Sequence, residues 1–389
     1  MTHPYGLSES AARAAATASL VAQDVLSANA ADVDARARFP RESINALGGA
    51  GLLGLCQPAH LGGKQEGMPA FAAVTEELAM ACGSTAMIYV MHVSAAQAIA
   101  SAPSLEGRDA LLREIAAGRH LTTLAFSERG SRSLFWAPVS RLSPNGNGYH
   151  LRAEKSWVTS AANADSYVAS AQRPDAASPL ESTVFLVKSK APGVRVEGRF
   201  DGLGLRGNDS APVGLEEVAV ATDDLISPLG EGANTMLQVV LPWFSIGTAA
   251  MSNGLARTAV ALTTQHLTGT TFQHTGSQLR DLPNLRARLA EMSVRTEQAR
   301  ALLGQTLAHL DAGSPSAPLF VLQTRLASLQ AASDVTDLAM KACGGAAFSK
   351  HLALERVFRD ARAGWVMAPT VDHLLEFTGR ALTGLPLFA

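Results

Sequence analysis

The chain has 389 residues, of which 47% are hydrophobic and 17% charged, and its formal net charge is −2. This length allows two or three domains, and the balanced charge excludes a broad basic face for nucleic acid or an anionic membrane. Three widely spaced cysteines match no metal or redox motif and fit a reducing compartment. The start lacks a signal-peptide pattern, and no run of about 20 apolar residues predicts a membrane span, so we expect a cytoplasmic protein.

Residues 1–118 are predicted to form an α-helical domain. Residues 8–35 are rich in alanine and favour a helix. Residues 84–100 are almost wholly apolar, which indicates a helix buried on all sides. His92 lies on that helix, where a histidine is expected to be a hydrogen-bonded core residue, with a catalytic role as the alternative.

Residues 119–227 contain short runs that are typical of β-strands. Residues 121–126 and 183–187 favour strands, and a turn over 143–148 predicts a hairpin between 139–142 and 149–152. Two further strands are indicated at 194–197 and 214–220. We therefore predict a small β-barrel, or a sandwich, in the middle of the chain.

The helical pattern returns in residues 228–389, where we predict a four-helix bundle. An apolar stripe marks one helix over 283–311, and a second helix over 319–342 ends at Gly344-Gly345. We expect the last helix to carry Arg359, Asp360 and Arg362, which favour an ion-pair network with a structural role. The fold class is mainly α with a central β domain.

Five motifs in this order resemble the acyl-CoA dehydrogenase family. They are FPRE…GLLGL…HLGG in 39–63, AFSERGSRS in 125–133, EKSWVTSAANAD in 154–165, GLGLRGNDSAPVGLEEVAV in 202–220 and KACGGAAF…LERVFRDAR in 341–362. Together they cover nearly the whole chain. The resemblance implies an N-terminal helical domain, a β-barrel and a helical bundle, in a homotetramer or homodimer with one FAD per subunit.

The resemblance also implies which residues bind the cofactor. Trp157 would cover one face of the flavin ring, and Val158 and Thr159 would hydrogen-bond its N5 and O4 edge. Thr370 would lie near the adenosine phosphates at a helix N-terminus. The other implied cofactor positions are Phe126, Ser127, Ser133, Phe272, Lys341, Gly344 and Gly345, the Gly-Gly loop serving the FAD of a neighbouring subunit. The implied substrate positions are Ser133, Leu134 and Met367.

The family's general base is missing. Family members remove the α-proton of an acyl-CoA with a glutamate while a hydride leaves for flavin N5, and loss of such a base costs about 10²–10⁴-fold in rate. The resemblance places that glutamate at Ala368 or, in other members, at Phe244. Asp372 and Glu376, just past the loop that contains Ala368, are the candidates for replacing it. No metal site is predicted.

Two kinds of chemistry remain open. The first is an acyl-CoA dehydrogenase-like oxidation of an acyl-CoA or a similar acyl substrate, with a displaced base or a substrate that needs none. The alternative is a flavin-dependent monooxygenase of the same fold that uses reduced flavin, FAD or FMN, and O₂. That branch of the fold also lacks the glutamate and often has a proline where this chain has Pro369.

Overall fold

Residues 3–387 are described in a computed structural model of the chain, in which helices, then strands, then helices follow one another. The N-terminal helices are Glu9–Val21 (α1), Ser27–Arg36 (α2), Arg41–Gly49 (α3), Met68–Ala81 (α4), Gly83–Ala100 (α5) and Arg108–Ala116 (α6). A π-helical segment, Ala22–Leu26, separates α1 from α2, so the single helix predicted over 8–35 has two parts. Helix α5 is buried along most of its length, as its apolar sequence predicted.

The middle of the chain contains seven strands in two sheets. They are Thr122–Ala125 (β1), Leu142–Asn145 (β2), Gly148–Val158 (β3), Ser166–Gln172 (β4), Ser182–Lys188 (β5), Val194–Val196 (β6) and Ala211–Ala221 (β7). One sheet has the order β1-β4-β5 and the other β2-β3-β7-β6. Both sheets contribute to one apolar core, which includes Phe185 from the first and Leu151 from the second.

The predicted class of fold is confirmed, but the two sheets do not close into a barrel. Within residues 3–387 the two sheets are joined only by isolated bridges, such as Arg141 with Gln172, because β2 and β6 are too short to continue a ladder around the domain. The predicted hairpin is confirmed with a shorter turn. Asn145 pairs with Gly148, so the turn is a two-residue one with φ +57° at Gly146.

The C-terminal part is a helical bundle. Its helices are Gly232–Asn234 (α7), Leu241–Gly269 (α8), Pro283–Asp311 (α9), Ala317–Cys343 (α10), Gly345–Phe348 (α11), Leu354–Ala361 (α12), Ala363–Val366 (α13) and Val371–Leu382 (α14). The long helices α8, α9 and α10 share a core that includes Leu255, Met292 and Val335. The sequence patterns predicted α12 as the last helix, but α14 follows it. Thr370 is the N-cap of α14, and its Oγ1 accepts a hydrogen bond from His373 N at 3.4 Å.

Three side chains in and directly after α12 connect the three parts of the fold. Arg359 forms a two-bond ion pair with Asp34 of α2, with N–O distances of 2.9 and 2.6 Å. Asp360 Oδ1 accepts a hydrogen bond of 2.6 Å from Leu205 N in the β domain. Arg362 pairs with Asp337 of α10. Arg359 and Arg362 form the expected ion pairs, whereas Asp360 accepts a backbone N–H instead, and together these contacts hold α12 against the rest of the fold.

Candidate active site

A buried ion pair shapes the loop after β1, residues 126–140. Lys155 Nζ lies 2.6 Å from Glu128 Oε1, and both side chains are almost fully buried. Glu128 Oε2 accepts hydrogen bonds from the backbone N–H groups of Val139 at 2.6 Å and Ser140 at 2.7 Å. Burial favours the neutral acid, but the Lys155 ammonium and these donors together hold the pKa of Glu128 below its usual value. The loop therefore has a fixed course across the β domain.

Four of the residues implied by the sequence lie on this loop. Phe126 is buried, and its ring stacks on that of Phe135 with a centroid distance of 6.3 Å. Ser127 is half-buried, and its carbonyl oxygen accepts a backbone hydrogen bond of 2.8 Å from β3. Ser133 is half-buried and Leu134 is 40% exposed, so both lie at the edge of the domain.

The Trp157 ring is displayed on the outside of the β domain. The ladder between β3 and β7 shifts its register between Lys155 and Val158, and Trp157 has a left-handed φ of +55°. Its side chain is 68% exposed, whereas Val158 and Thr159 are buried. Thr159 Oγ1 lies 3.1 Å from Ser210 Oγ. A strained backbone that presents a large exposed aromatic ring is typical of a ligand site.

The loop between α13 and α14 reaches the same region as the loop after β1. Ala368 and Val371 pack in one apolar cluster with Phe126 and Trp136. The Trp136 ring also lies 5.7 Å from that of Phe377 on α14. The structure thus brings the start of α14 together with the β-domain loop, as the sequence motifs require for a shared site.

The two positions where the sequence lacks a base meet at one side chain, Arg325 of α10. Arg325 Nη2 donates to the carbonyl oxygen of Met367 at 3.1 Å, and Nη1 donates to that of Ala368 at 3.3 Å. The centre of the guanidinium lies 4.7 Å from the ring centroid of Phe244. Arg325 was not among the predicted site residues. Its signal was a single charged residue in the stretch 312–333, most of which belongs to a predicted bundle helix.

The carboxylates suggested as replacements lie on a different face. Asp372 and Glu376 are exposed, on the side of α14 opposite the buried Leu374 and Phe377. Glu376 pairs with Arg380 of the same helix at 3.4 Å. The structure therefore places neither carboxylate beside Phe244.

His92 is fully buried, and both of its ring nitrogens have partners. Its Nε2 lies 3.2 Å from the carbonyl oxygen of Leu53, and Thr122 N donates to Nδ1 at 3.2 Å. Burial lowers the pKa of His92 to about 4, so the ring is neutral near pH 7. These bonds connect α5 to the start of β1, which is a structural arrangement.

A second group of implied cofactor residues lies far from the first. These residues are Phe272, Lys341, Gly344 and Gly345. Lys341, Gly344 and Gly345 are exposed at the C-terminal end of α10, and Phe272 is half-buried in the loop after α8. Helix rise puts Gly344 about 28 Å from Arg325 along α10. Within one subunit, this group therefore lies far from the loop at 367–370 that Arg325 contacts.

Within residues 3–387, no group of three potential metal-ligating side chains is present. Over the same residues, no helix is both long and apolar enough to span a membrane.

The domain order and the junction between β domain and bundle define a class, the flavoprotein oxidoreductases built on this three-part plan. Profiles of acyl-CoA dehydrogenase domains match the chain in order: the N-terminal domain at residues 8–119, the middle domain at 123–218 and the C-terminal domain at 230–382. The chain belongs to the acyl-CoA dehydrogenase family, which confirms the resemblance seen in its sequence.

Known proteins support this assignment. The chain is 28% identical to the human short-chain specific acyl-CoA dehydrogenase, mitochondrial, over 337 residues, which are 86% of this chain and 80% of that protein. Butyryl-CoA dehydrogenase from Megasphaera elsdenii has the same fold, with a TM-score of 0.92, 21% identity and coverage of 97% and 99% of the two chains. The FAD complex of PigA also has this fold, with a TM-score of 0.90, 20% identity and coverage of 97% of this chain and 99% of that chain. At these identities the two structures establish the fold alone.

Proposed function

We propose that the protein is an FAD-dependent oxidoreductase that acts on an acyl-CoA, or a similar acyl substrate, at the N5 face of the flavin. The observation that carries this proposal is the exposed Trp157 ring on β3, directly after Ser156, whose N–H donates to Ser127 of the fixed β-domain loop. That loop in turn packs with the start of α14. Membership of the family and the fold shared with an FAD complex support it.

The residues of the β domain fit a flavin. The free face of Trp157 is large enough to cover a planar ring, and stacked aromatic systems attract one another. Val158 and Thr159 follow it directly and would hydrogen-bond the ring edge. Ser127 and Ser133, both half-buried on the loop after β1, would contact the pyrimidine and ribityl parts. When bound, FAD supplies a hydride acceptor at N5.

The remote group fits the adenosine end of an FAD that belongs to a neighbouring subunit. Gly344 has φ +56°, and a Cβ added to Gly344 or Gly345 would meet no atom within 4 Å. The exposed backbone there can approach a phosphate closely. Thr370, which caps the twelve-residue helix α14, would lie near the phosphates of the subunit's own FAD. This arrangement predicts an oligomer.

The protein side of the reaction lacks a carboxylate where family members have one. Ala368 and Phe244 have no titratable group, and Arg325 between them is a cation. We therefore expect desaturation of an unsubstituted acyl-CoA to be slower by about 10²–10⁴-fold than with a glutamate base. Oxidation is expected for a substrate that does not depend on that base.

The experiment that tests the proposal follows the flavin itself. The purified protein is expected to be yellow and to release FAD on denaturation. Under anaerobic conditions, acyl-CoAs of varied chain and substituent are added, and bleaching of the flavin absorbance supports the proposed oxidation. A protein that binds no FAD contradicts the proposal.

A second outcome would favour the alternative function. If no acyl-CoA bleaches the flavin, and product forms only with reduced FAD or FMN and O₂, the protein is a monooxygenase. The feature of the chain that favours this alternative is the loop 367–370, which lacks the glutamate and contains Pro369.

A further inference from the structure

The guanidinium of Arg325 is a buried positive charge without a negative partner. Arg325 is fully buried, and among residues 3–387 no carboxylate oxygen lies within 4.0 Å of its nitrogens. Burial lowers its pKa to about 9, so it remains charged at neutral pH. An unpaired charge in a protein interior is strongly destabilising unless something supplies the opposite charge.

The hydrogen bonds of this side chain are incomplete as well. A guanidinium has five N–H donors, and only the two bonds to the Met367 and Ala368 carbonyls are formed within the described part of the chain. Arg325 Nε is buried there without a partner. The buried hydroxyl groups of Thr324 and Ser328 also lack partners, and they lie within about 100° of Arg325 around α10.

Arg325 lies beside both positions at which the family resemblance implies the general base. Phe244, Met367 and Ala368 surround the guanidinium, and all three are half-buried rather than fully enclosed. A ligand group that reaches the two empty base positions therefore comes within reach of the free N–H donors. Phe244 and Met367 pack against the apolar cluster that contains Phe71, and such apolar surroundings strengthen any ion pair formed there.

We propose that Arg325 binds an anionic group of the substrate, so that the acyl chain carries a carboxylate or a similar oxyanion besides its thioester. This inference rests on the function proposed above and narrows its substrate class. The planar fork of a guanidinium matches a carboxylate with two parallel hydrogen bonds. The substrate would then supply the negative charge that Ala368 does not.

A role as a loop support alone explains less of the arrangement. Two carbonyl oxygens can be held by a neutral amide donor without burying a charge. A glutamate at position 368 would have neutralised Arg325 from within the protein. With alanine at position 368, the charge of Arg325 stays available to a ligand, and the unpaired Nε–H can donate to it.

The test uses pairs of thioesters that differ only in the terminal group. Succinyl-CoA is compared with butyryl-CoA, and glutaryl-CoA with valeryl-CoA, as ligands of the oxidised holoenzyme, by the change in flavin absorbance under anaerobic conditions. Charged hydrogen bonds predict about tenfold or tighter binding of each diacid derivative. Arg325→Gln should abolish this preference, so that each diacid derivative and its neutral partner bind with affinities within about twofold of each other, since glutamine can still donate to the loop carbonyls but carries no charge.

Two further variants complete the experiment. Arg325→Lys should retain part of the preference because it keeps the charge without the fork, and it serves as the test if the glutamine variant does not fold. Arg295→Gln, the same change at an exposed site on α9, should leave the preference intact. The inference is overturned if the wild-type protein does not prefer the diacid derivatives, or if the preference survives unchanged in both Arg325 variants.

The outcomes separate this inference from the proposed function. If the holoenzyme binds neutral thioesters but shows no preference for the diacids, only the role of Arg325 is wrong. If the protein contains no FAD, or binds none of the four thioesters, the proposed function fails and the inference fails with it.

Discussion

Lys155 and Arg325 are both fully buried cations, yet their surroundings differ in one respect. Lys155 lies 2.6 Å from the Glu128 carboxylate and also donates to the Ser170 carbonyl oxygen. Arg325 contacts two carbonyl oxygens and the face of Phe244. The first charge is neutralised by the protein, and the second is not.

This difference matches the proposed roles of the two regions, cofactor binding around Lys155 and substrate binding around Arg325. Glu128 accepts two backbone N–H groups in addition to Lys155, so the pair fixes the loop that would hold the flavin. A cofactor that stays bound needs a rigid frame, and a closed ion pair provides one. A substrate comes and goes, and a cation that is only partly satisfied can exchange partners. The comparison therefore suggests where to change each charge and what to expect.

The largest effect is expected when the closed pair is broken. Lys155→Met leaves the Glu128 carboxylate buried without its cation, which typically costs about 3–5 kcal/mol of stability. Unfolding in urea measures the loss, and FAD content should fall because the loop at 126–140 is no longer fixed. Lys188→Met, on the exposed end of β5, is the matched control and should change stability by less than about 0.5 kcal/mol. Equal stability of the two variants would show that the pair is not what holds the loop.

A second effect concerns the junction between α12 and the β domain. Burial raises the pKa of Asp360 to about 7, so the folded state favours the neutral acid. The stabilisation is complete below the ordinary pKa near 4 and is lost as the pH rises through about 7, a difference of up to about 4 kcal/mol. Asp360→Asn should remove this loss, since its Oδ1 can still accept the bond from Leu205 N.

Urea unfolding of the wild-type and Asp360→Asn proteins at pH 5 and pH 8 measures the difference. The stability advantage of the variant should grow between the two values, and Asp372→Asn, an exposed aspartate on α14, should show no such trend. An advantage that is the same at both values would mean that Asp360 is ionised throughout.

Local patterns predicted most of the frame, and tertiary contacts decided the rest. The apolar stripe over 283–311 correctly predicted α9, and the apolar run 84–100 correctly predicted α5. In both cases the spacing of apolar residues indicates which faces of the helix are buried. Strand β4 was not predicted, since all seven of its residues are buried and it shows no alternation. Local patterns did not predict α14, although Thr370 is a favourable N-cap residue and the family resemblance implied a helix N-terminus there.

The candidate site was less accessible to sequence reasoning. The motifs led to Trp157 and to the empty base positions, but the exposure of Trp157 depends on a shift in the β3–β7 register that no short pattern encodes. Arg325 belongs to no motif. Its place in the candidate site becomes evident only from its contacts with Phe244 and the loop at 367–370, which are distant from it in sequence.

A third prediction adds a carboxylate to the protein next to the unpaired charge of Arg325. Ala368→Glu should raise the rate of anaerobic flavin reduction by butyryl-CoA about tenfold or more, because it restores a carboxylate base. Arg325 would hold the pKa of that glutamate low and weaken it as a base, so the double variant with Arg325→Gln should react faster still. Ala368→Ser, which adds no base, is the control. No gain in either glutamate variant would show that position 368 does not face the substrate.

The smallest effect is expected at Trp157, the residue proposed to stack on the flavin. Trp157→Ala should weaken FAD binding about two- to tenfold, the range expected for loss of one aromatic stacking partner, while stability changes little because the ring is 68% exposed. Titration of the apoprotein with FAD, followed by flavin fluorescence, measures the change. Trp365→Ala is the matched control, since that ring is also half-exposed, at 50%, but lies on α13 over Arg362. If both variants bind FAD as the wild type does, the flavin does not stack on Trp157, and the β-domain site has to be placed elsewhere.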